Sequence, residues 1–337
     1  MSKVFMIGGP GNISRGTVSY LRKRNYELAI YTRNTEKKEK QNPEIKFYEG
    51  DRKNRKALKK AFLDFKSELV IDTICFEPSE AKELYQIVKD KIKHLLFIST
   101  VDTYGYPLSR LPFREKDEFQ PAVSSYAQKK RTIELFYLDK MQKENFPVTI
   151  GRPSLSIGPG FCPLMYENWG LTVVPRMKAG KPILVPGSGK GLMHVGWGYD
   201  VGRMMGRIIG DSQAIGEGYT LSDKNFIARD DYISLFTDYL GVDPERVYIP
   251  QKYINSFPGI EDIDLIDHLY NKNMAFSLGK FKRHFPDYQW LPLKKGVAEF
   301  IEVNQKQHTF FDVNEKIIDD EIIKKWHNSL YGWGKNN

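Results

Sequence analysis

The stretch 3-KVFMIGGPGNISRGTVSYLRKR-24 decides the fold. Its opening, 3-KVFMIGG-9, is a short apolar run of the kind found in strands buried on both faces. A glycine-rich turn, 8-GGPGNIS-14, follows at once, and 15-RGTVSYLRKR-24 then carries apolar residues at helical spacing. Strand, glycine turn and helix in that order open a βαβ unit. Gly8 and Gly11 have the spacing at which backbone turns tightly and approaches a pyrophosphate at a helix N-terminus. The third small position is Ser14, where a third glycine is usual.

The same rhythm continues outward from this unit. Strand patterns at 27-ELAIY-31 and 45-IKFYEGD-51 precede the helical 55-RKALKKAFLDF-65 and the strand 69-LVIDTI-74. A helix near 79–90, the strand 94-HLLFIST-100, a helix over 125–143 and the strand 147-PVTIGRP-153 complete the series. Short apolar strands alternating with helices predict an α/β fold, a doubly wound parallel sheet covered on both faces. After Pro153 the pattern changes to Gly, Pro and aromatic residues, from 158-GPGF-161 to 186-PGSGKG-191. Helical patterns resume at 200-DVGRMMGRII-209 and 230-DDYISLFTDYLG-241. The expected division is a Rossmann domain over 1–153 and a smaller mixed substrate-binding region over 154–337, with some segments returning to the first domain.

Composition narrows the classes. Of 337 residues, 41% are hydrophobic and 13% aromatic, enough for a substantial core and too many for a disordered chain. With a strand pattern starting at residue 3 no signal peptide is expected, and no apolar run is long enough to span a bilayer. Two cysteines, Cys75 and Cys162, make no disulfide framework, so a cytoplasmic setting is expected. The net charge of +9 is spread over runs such as 52-RKNRKALKK-60 and 89-KDKIKH-94, which read as solvated helix faces. Without a recognised nucleic-acid motif, a nucleic-acid partner is not expected, although a phosphate-bearing substrate suits the field. His94, His194, His268, His284, His308 and His327 show no metal-ligand spacing, and no metal is expected. His194 either faces the substrate pocket or packs, and packing is the expected role. The segment 187-GSGKG-191 lacks the remaining residues of a P-loop and reads as a hairpin lining the substrate pocket.

Three places carry chemistry. The second strand ends in 31-YTRN-34, where an acidic residue commonly holds the ribose hydroxyls of NAD. Arg33 stands there instead, and a guanidinium suits a 2′-phosphate, so NADP is favoured over NAD. Asp51 and Arg52, after the third strand, either border the adenine or cap the next helix. In 124-SSYAQKKRTIE-134, Tyr126 and Lys130 share a helix face. A phenol has a pKa of about 10 and is a poor base until a nearby ammonium stabilises its anion. Taken alone, Tyr-x-x-x-Lys is more often two surface residues than a working pair. Thr100, in 97-FISTVDTYG-105, emerges at the carboxyl edge of the fifth strand, where ligands of such folds bind.

With these motifs in order, the chain resembles the extended short-chain dehydrogenase/reductase family, in its NAD-dependent epimerase/dehydratase branch. The matching stretches are 8-GGPGNIS-14, 97-FISTVDTYG-105, 115-EKDEFQP-121, 125-SYAQKK-130 and 152-RPSLSIGPG-160. The likeness continues through 183-ILVPGSGKGLMHVGWGYDVGRMM-205 and 277-SLGKFKRHFPDY-288, and so covers nearly the whole chain. The resemblance implies that Tyr126 is the catalytic acid/base, Lys130 its partner and Thr100 the hydroxyl that orients the substrate oxygen. It implies that Gly8, Gly11, Asn12 and Ile13 form the pyrophosphate turn and that Pro153 opens the stretch passing the nicotinamide. The implied substrate is a nucleotide-activated sugar, with epimerisation, dehydration or plain oxidoreduction all open, and the implied assembly is a homodimer through the helix carrying Tyr126. Two departures are Ser14 and 194-HVGWGYDV-201, which lacks the usual paired acids before its helix. The alternative is a nucleotide-sensing or RNA-binding protein on the same scaffold, without turnover.

Overall fold

The computed structural model describes residues 2–164, 170–260 and 272–333, the last three by backbone alone. The opening stretch folds as its pattern predicts, with β1 (Lys3–Ile7) leading through the glycine turn into α1 (Ser14–Arg22). Val4 to Ile7 are all buried, because alternate side chains enter cores on opposite faces of the sheet. The chain continues through β2 (Glu27–Thr32), α2 (Glu36–Gln41), β3 (Lys46–Glu49), α3 (Arg55–Phe65) and β4 (Leu69–Asp72). Then come α4 (Pro78–Val88), β5 (His94–Ile98), α5 (Ser125–Glu144) and β6 (Val148–Pro153). Helix starts follow local chemistry. Asn54 caps α3 by accepting the Ala57 N–H at 3.1 Å, so neither Asp51 nor Arg52 is its cap. Pro78 and the reciprocal Glu77–Glu80 capping box open α4, and Ser124 caps α5 by accepting the Ala127 N–H at 3.1 Å.

Beyond Pro153 the chain adds β7 (Leu155–Ile157), α6 (Val173–Lys178), β8 (Ile183–Pro186), β9 (Leu192–Met193), β10 (Val195–Trp197) and α7 (Gly198–Ile208). It then forms β11 (Gly218–Leu221), β12 (Ile227–Ala228), α8 (Arg229–Leu240), β13 (Arg246–Ile249) and α9 (Gln251–Asn255). The last described helices are α10 (Gly279–His284), α11 (Leu293–Gln307) and α12 (Ile318–Trp333). The 187–191 segment is not a hairpin turn. The strands it joins pair elsewhere, β8 with β13 and β9 with β12.

Seven parallel strands make the main sheet, in the order β3-β2-β1-β4-β5-β6-β11. After β3 the chain crosses back over β1 to β4, and this reversal opens a crevice beyond their carboxyl ends. Two of the covering elements arrive late in the sequence. β11 extends the sheet beside β6, and α7 lies against α1 at the closest approach its glycines allow. A Cβ on Gly16 would stand 1.8 Å from the Tyr199 carbonyl oxygen, and one on Gly202 would stand 2.0 Å from that of Ile13. One face of the sheet is packed by α1, α7 and Phe281 and Phe285, the other by α3, α4 and α5. A third core joins Tyr104 and Phe113 to Ile157, Val185, Phe236 and Phe300, tying the later region to the carboxyl end of β5. Among the described residues, no helix is long and apolar enough to cross a membrane.

Candidate active site

A cavity of about 630 Å³ lies at the carboxyl edge of the sheet, and Thr100, Tyr126 and Lys130 all line it. Thr100 leaves β5 and caps a short 3-10 turn, Val101–Tyr104, its Oγ accepting the Asp102 N–H at 3.2 Å. One turn of α5 separates Tyr126 from Lys130 and sets them on the same face. Lys130 is 1% exposed; its Nζ donates to the Ile98 carbonyl at 2.8 Å and lies 5.8 Å from the centre of the Tyr126 ring. Burial brings the lysine pKa down to about 8. Tyr126 keeps 37% of its surface exposed, with its ring beside Phe76, while the phenol group itself is largely enclosed. Burial, and then the Asp102 carboxylate, push the phenol above its ordinary range, and the Thr100 hydroxyl offsets part of that rise. The expected lowering by Lys130 is not seen in this arrangement, because the ammonium is turned to the Ile98 carbonyl.

Asp102 is the residue that motif reading passed over. It is 4% exposed, it lines the cavity, and its Oδ1 has no hydrogen-bond partner. Burial raises its pKa to about 7, with the Thr100 hydroxyl holding it slightly lower. A signal was present in 97-FISTVDTYG-105, where an acid stands two residues after the strand-end hydroxyl. Ser99, whose Oγ is also buried without a partner, lines the same wall.

The glycine turn opens into this same cavity through Asn12, Ile13 and Ser14. Gly8 has φ of +89°, and a Cβ there would fall 2.5 Å from Thr73 Oγ1, so both conformation and space demand glycine. The Gly11 N–H donates to Ser14 Oγ at 2.7 Å, so the serine closes the turn from the position of the missing glycine. Asn12 Nδ2 donates to the Ser156 carbonyl at 2.8 Å, and its Oδ1 is buried without a partner between Gly158 and Gly198. No acid occupies the first turn of α1, so the positive end of the helix is uncompensated. Pro153 lines the same cavity. A narrow turn at a helix N-terminus, continuous with a roomy cleft and an orphaned amide oxygen, fits an elongated dinucleotide.

The remaining expected residues separate. Arg33 lies one residue past β2, its side chain 77% exposed and 4.0 Å from the Asp51 carboxylate. Lys38 adds a second cation at that strand end, its Nζ donating to Thr32 Oγ1 at 2.9 Å and to the Arg33 carbonyl at 2.8 Å. Asp51 is exposed and accepts the Lys53 N–H at 2.8 Å. Arg52 turns inward, away from the expected adenine position. Its guanidinium is buried and donates to Asp72 at 2.7 Å and to the Glu80 carbonyl at 3.1 Å, because a buried carboxylate requires a cation. His194 is a packing residue, accepting the Phe276 N–H at 3.1 Å while its Nε2 faces the Asp223 carbonyl at 2.8 Å. In 194-HVGWGYDV-201 the buried acid is Asp200, which accepts from Tyr288 Oη at 2.9 Å and the Leu291 N–H at 3.0 Å. Among the described residues, no group of three or more His, Cys, Asp or Glu is arranged to hold a metal ion. His268 lies outside the described residues.

Sheet order and the glycine turn at the head of α1 define a doubly wound, Rossmann-type α/β protein. Residues 4–221 match the model of the NAD-dependent epimerase/dehydratase family, and the chain belongs to that family. It is similar in fold to dTDP-glucose 4,6-dehydratase from Bacillus anthracis in complex with NAD. That match has a TM-score of 0.72, 18% identity, and coverage of 92% of this chain and 99% of the other. UDP-glucose 4-epimerase from Thermotoga maritima, with UDP-glucose, matches with a TM-score of 0.69 and 19% identity over 91% of this chain and 99% of that one. In sequence the chain is 24% identical to the chloroplast stem-loop binding protein of 41 kDa b from Arabidopsis thaliana. That alignment runs over 241 residues, 68% of this chain and 60% of the relative's length.

Proposed function

We propose that this protein is an NADP-dependent enzyme that acts on a hydroxyl or ketone of a nucleotide-activated sugar. The observation that carries the reading is a single cavity joining the glycine turn to Thr100, Tyr126 and Lys130. When bound, the nicotinamide supplies the hydride acceptor or donor at the substrate carbon. Gly8, Gly11, Asn12 and Ile13 hold the pyrophosphate at the start of α1, Arg33 meets the 2′-phosphate, and Pro153 borders the nicotinamide. Asp51 flanks the adenosine side of the cleft. Thr100 orients the substrate oxygen, Tyr126 exchanges its proton, and Lys130 swings from the Ile98 carbonyl to the cofactor ribose and lowers the phenol pKa. Asp102 gives the cleft a second proton-transfer group. Among the three outcomes it favours dehydration, in which a base takes the proton next to a carbonyl and an acid gives a proton to the β-hydroxyl, which leaves as water.

Turnover of UDP- and dTDP-hexoses with NADPH or NADP tests this. Tyr126→Phe is expected to lower kcat about 10²–10⁴-fold with cofactor binding intact. Retained turnover removes Tyr126 from the mechanism. Both cysteines are free and buried, which suits the reducing cytoplasm in which we place the chain. The reading includes a homodimer through α5, the helix that carries Tyr126 and on which Leu135 is 57% exposed.

A second reading has its own support. Lys53, Arg55, Lys56, Lys59 and Lys60 are all exposed on or beside α3, and the Arabidopsis relative is named for stem-loop binding. RNA binding without turnover would show as association that falls steeply with salt. NADPH affinity and sugar turnover would then be lacking.

A further inference from the structure

The ammonium of Lys130 is buried beside two carboxylates and pairs with neither. Its described hydrogen bond goes to the Ile98 carbonyl, and its other close neighbours are the faces of Phe76 at 4.8 Å and Phe97 at 5.1 Å. Glu134 stands four residues along α5, a spacing at which lysine and glutamate ordinarily meet, and it too is buried. Glu134 instead gives both oxygens to Arg152, at 2.9 and 2.8 Å, and accepts from Thr103 Oγ1 at 3.1 Å. Asp72 ends β4 directly opposite Phe97, the ring over which the ammonium lies. It is fully buried, and it is held by Arg52 at 2.7 Å and by the Ile74 N–H at 3.3 Å.

We propose that Arg52 and Arg152 are positioning residues that hold Asp72 and Glu134 away from Lys130, leaving its ammonium free for the cofactor ribose and Tyr126. The inference rests on the role given to Lys130 above. A buried ammonium and carboxylate attract strongly, so an unguarded Asp72 or Glu134 would capture the lysine. Guanidinium is the suitable guard. It never loses its proton in this range, and its planar fork matches a carboxylate where a lysine cannot compete. What remains to Lys130 is one carbonyl, the neighbouring Cys75 thiol and the faces of aromatic rings, contacts readily exchanged for a ribose hydroxyl. The electrostatics agree with this geometry. Burial leads in bringing Lys130 down to about 8, Cys75, Asp72 and Glu134 act upward, Arg52 acts downward, and the Tyr126 ring lies 5.8 Å from the ammonium.

The test uses the full chain with ¹³C-labelled lysine, following the Lys130 ¹³Cε resonance, assigned with Lys130→Met, through a pH titration. Arg52→Met is expected to raise the Lys130 pKa from about 8 towards the ordinary value near 10.4. The same variant is expected to weaken NADPH binding about tenfold, as capture of the ammonium removes a ribose contact. Arg52→Met/Asp72→Asn should restore both, since the captor is gone. The pair Arg152→Met and Arg152→Met/Glu134→Gln should behave likewise. A folded Arg52→Met in which Lys130 titrates as in the wild type overturns the proposal. So does failure of both single variants to fold, with or without rescue by the doubles, because the arginines would then only neutralise buried charge. NADPH affinity unchanged in Lys130→Met would instead reject the role of the lysine itself, while the resonance still reports what the arginines do.

Discussion

Burial pushes the Asp102 pKa up to about 7, so near neutral pH it holds its proton about half of the time, where an exposed aspartate has lost it, and this ties stability to pH in a definite direction. Its folded pKa of about 7 lies above the unfolded value of about 3.9, so its contribution is full below pH 4 and is lost as pH rises through 7. Asp102→Asn is therefore expected to raise the melting temperature at pH 8 relative to wild type and to flatten the profile between pH 4 and 8. An unchanged profile would show that the carboxyl is ionised throughout. His94 acts in the other window. Its Nδ1 accepts the Gly210 N–H at 3.0 Å, its Nε2 bonds Thr149 Oγ1 at 2.7 Å, and burial lowers its pKa to about 4. Its contribution is full above the unfolded value of about 6.5 and is lost as pH falls through 4. His94→Gln should remove part of that acid limb in melts at pH 4 to 6. Arg33 is a residue-scale wager on the cofactor. Arg33→Ala should cost NADPH binding about tenfold and leave NADH binding nearly unchanged in a fluorescence titration. Equal affinities in the wild type would refute the 2′-phosphate assignment.

At the scale of elements, most of the main-sheet boundaries were legible because strands buried on both faces read as short continuous apolar runs, set between helices of period 3.6. The helix expected at 55–65 is Arg55–Phe65, and that expected at 125–143 is Ser125–Glu144. α2 escaped notice because 36-EKKEKQ-41 has no apolar residue and buries none, and β11 because its four residues lie beyond the alternating strand-helix series. The 187–191 turn was misread because local composition says nothing about which strands its flanks will pair with. The α1–α7 crossing was hidden for a related reason: Gly16 and Gly202 are distant in sequence and reveal their purpose only when the helices touch. Gly202→Ala puts a methyl group 2.0 Å from the Ile13 carbonyl and should destabilise by about 1–3 kcal/mol in thermal unfolding. Because Ile13 belongs to the glycine turn, the same change should weaken NADPH binding. Wild-type stability in Gly202→Ala would mean that the helices can separate at no cost.

For the whole molecule, the boundary at Pro153 divides patterns without dividing the fold. β11 lies beside β6, α7 covers α1, and Tyr104 packs with residues beyond 153. A fragment ending at residue 153 would expose the edge of β6 and the buried flank of α1, and it is expected to show no cooperative unfolding transition by circular dichroism. A sharp transition would make the first half self-sufficient. What the amino-acid order determined by itself was the alternation of strand and helix, the glycine turn, the exchange of an acid for Arg33, and the Tyr126–Lys130 spacing. Each of these is local, fixed by periodicity or by backbone geometry over a few residues. Only the tertiary structure decided that Arg52 turns inward to Asp72, that Glu134 takes Arg152 in place of its neighbour Lys130, and that one carboxyl oxygen of Asp102 is left without a partner in the cleft. Those outcomes depend on which charges are buried together, and burial is set by the crossing of strands far apart in the chain.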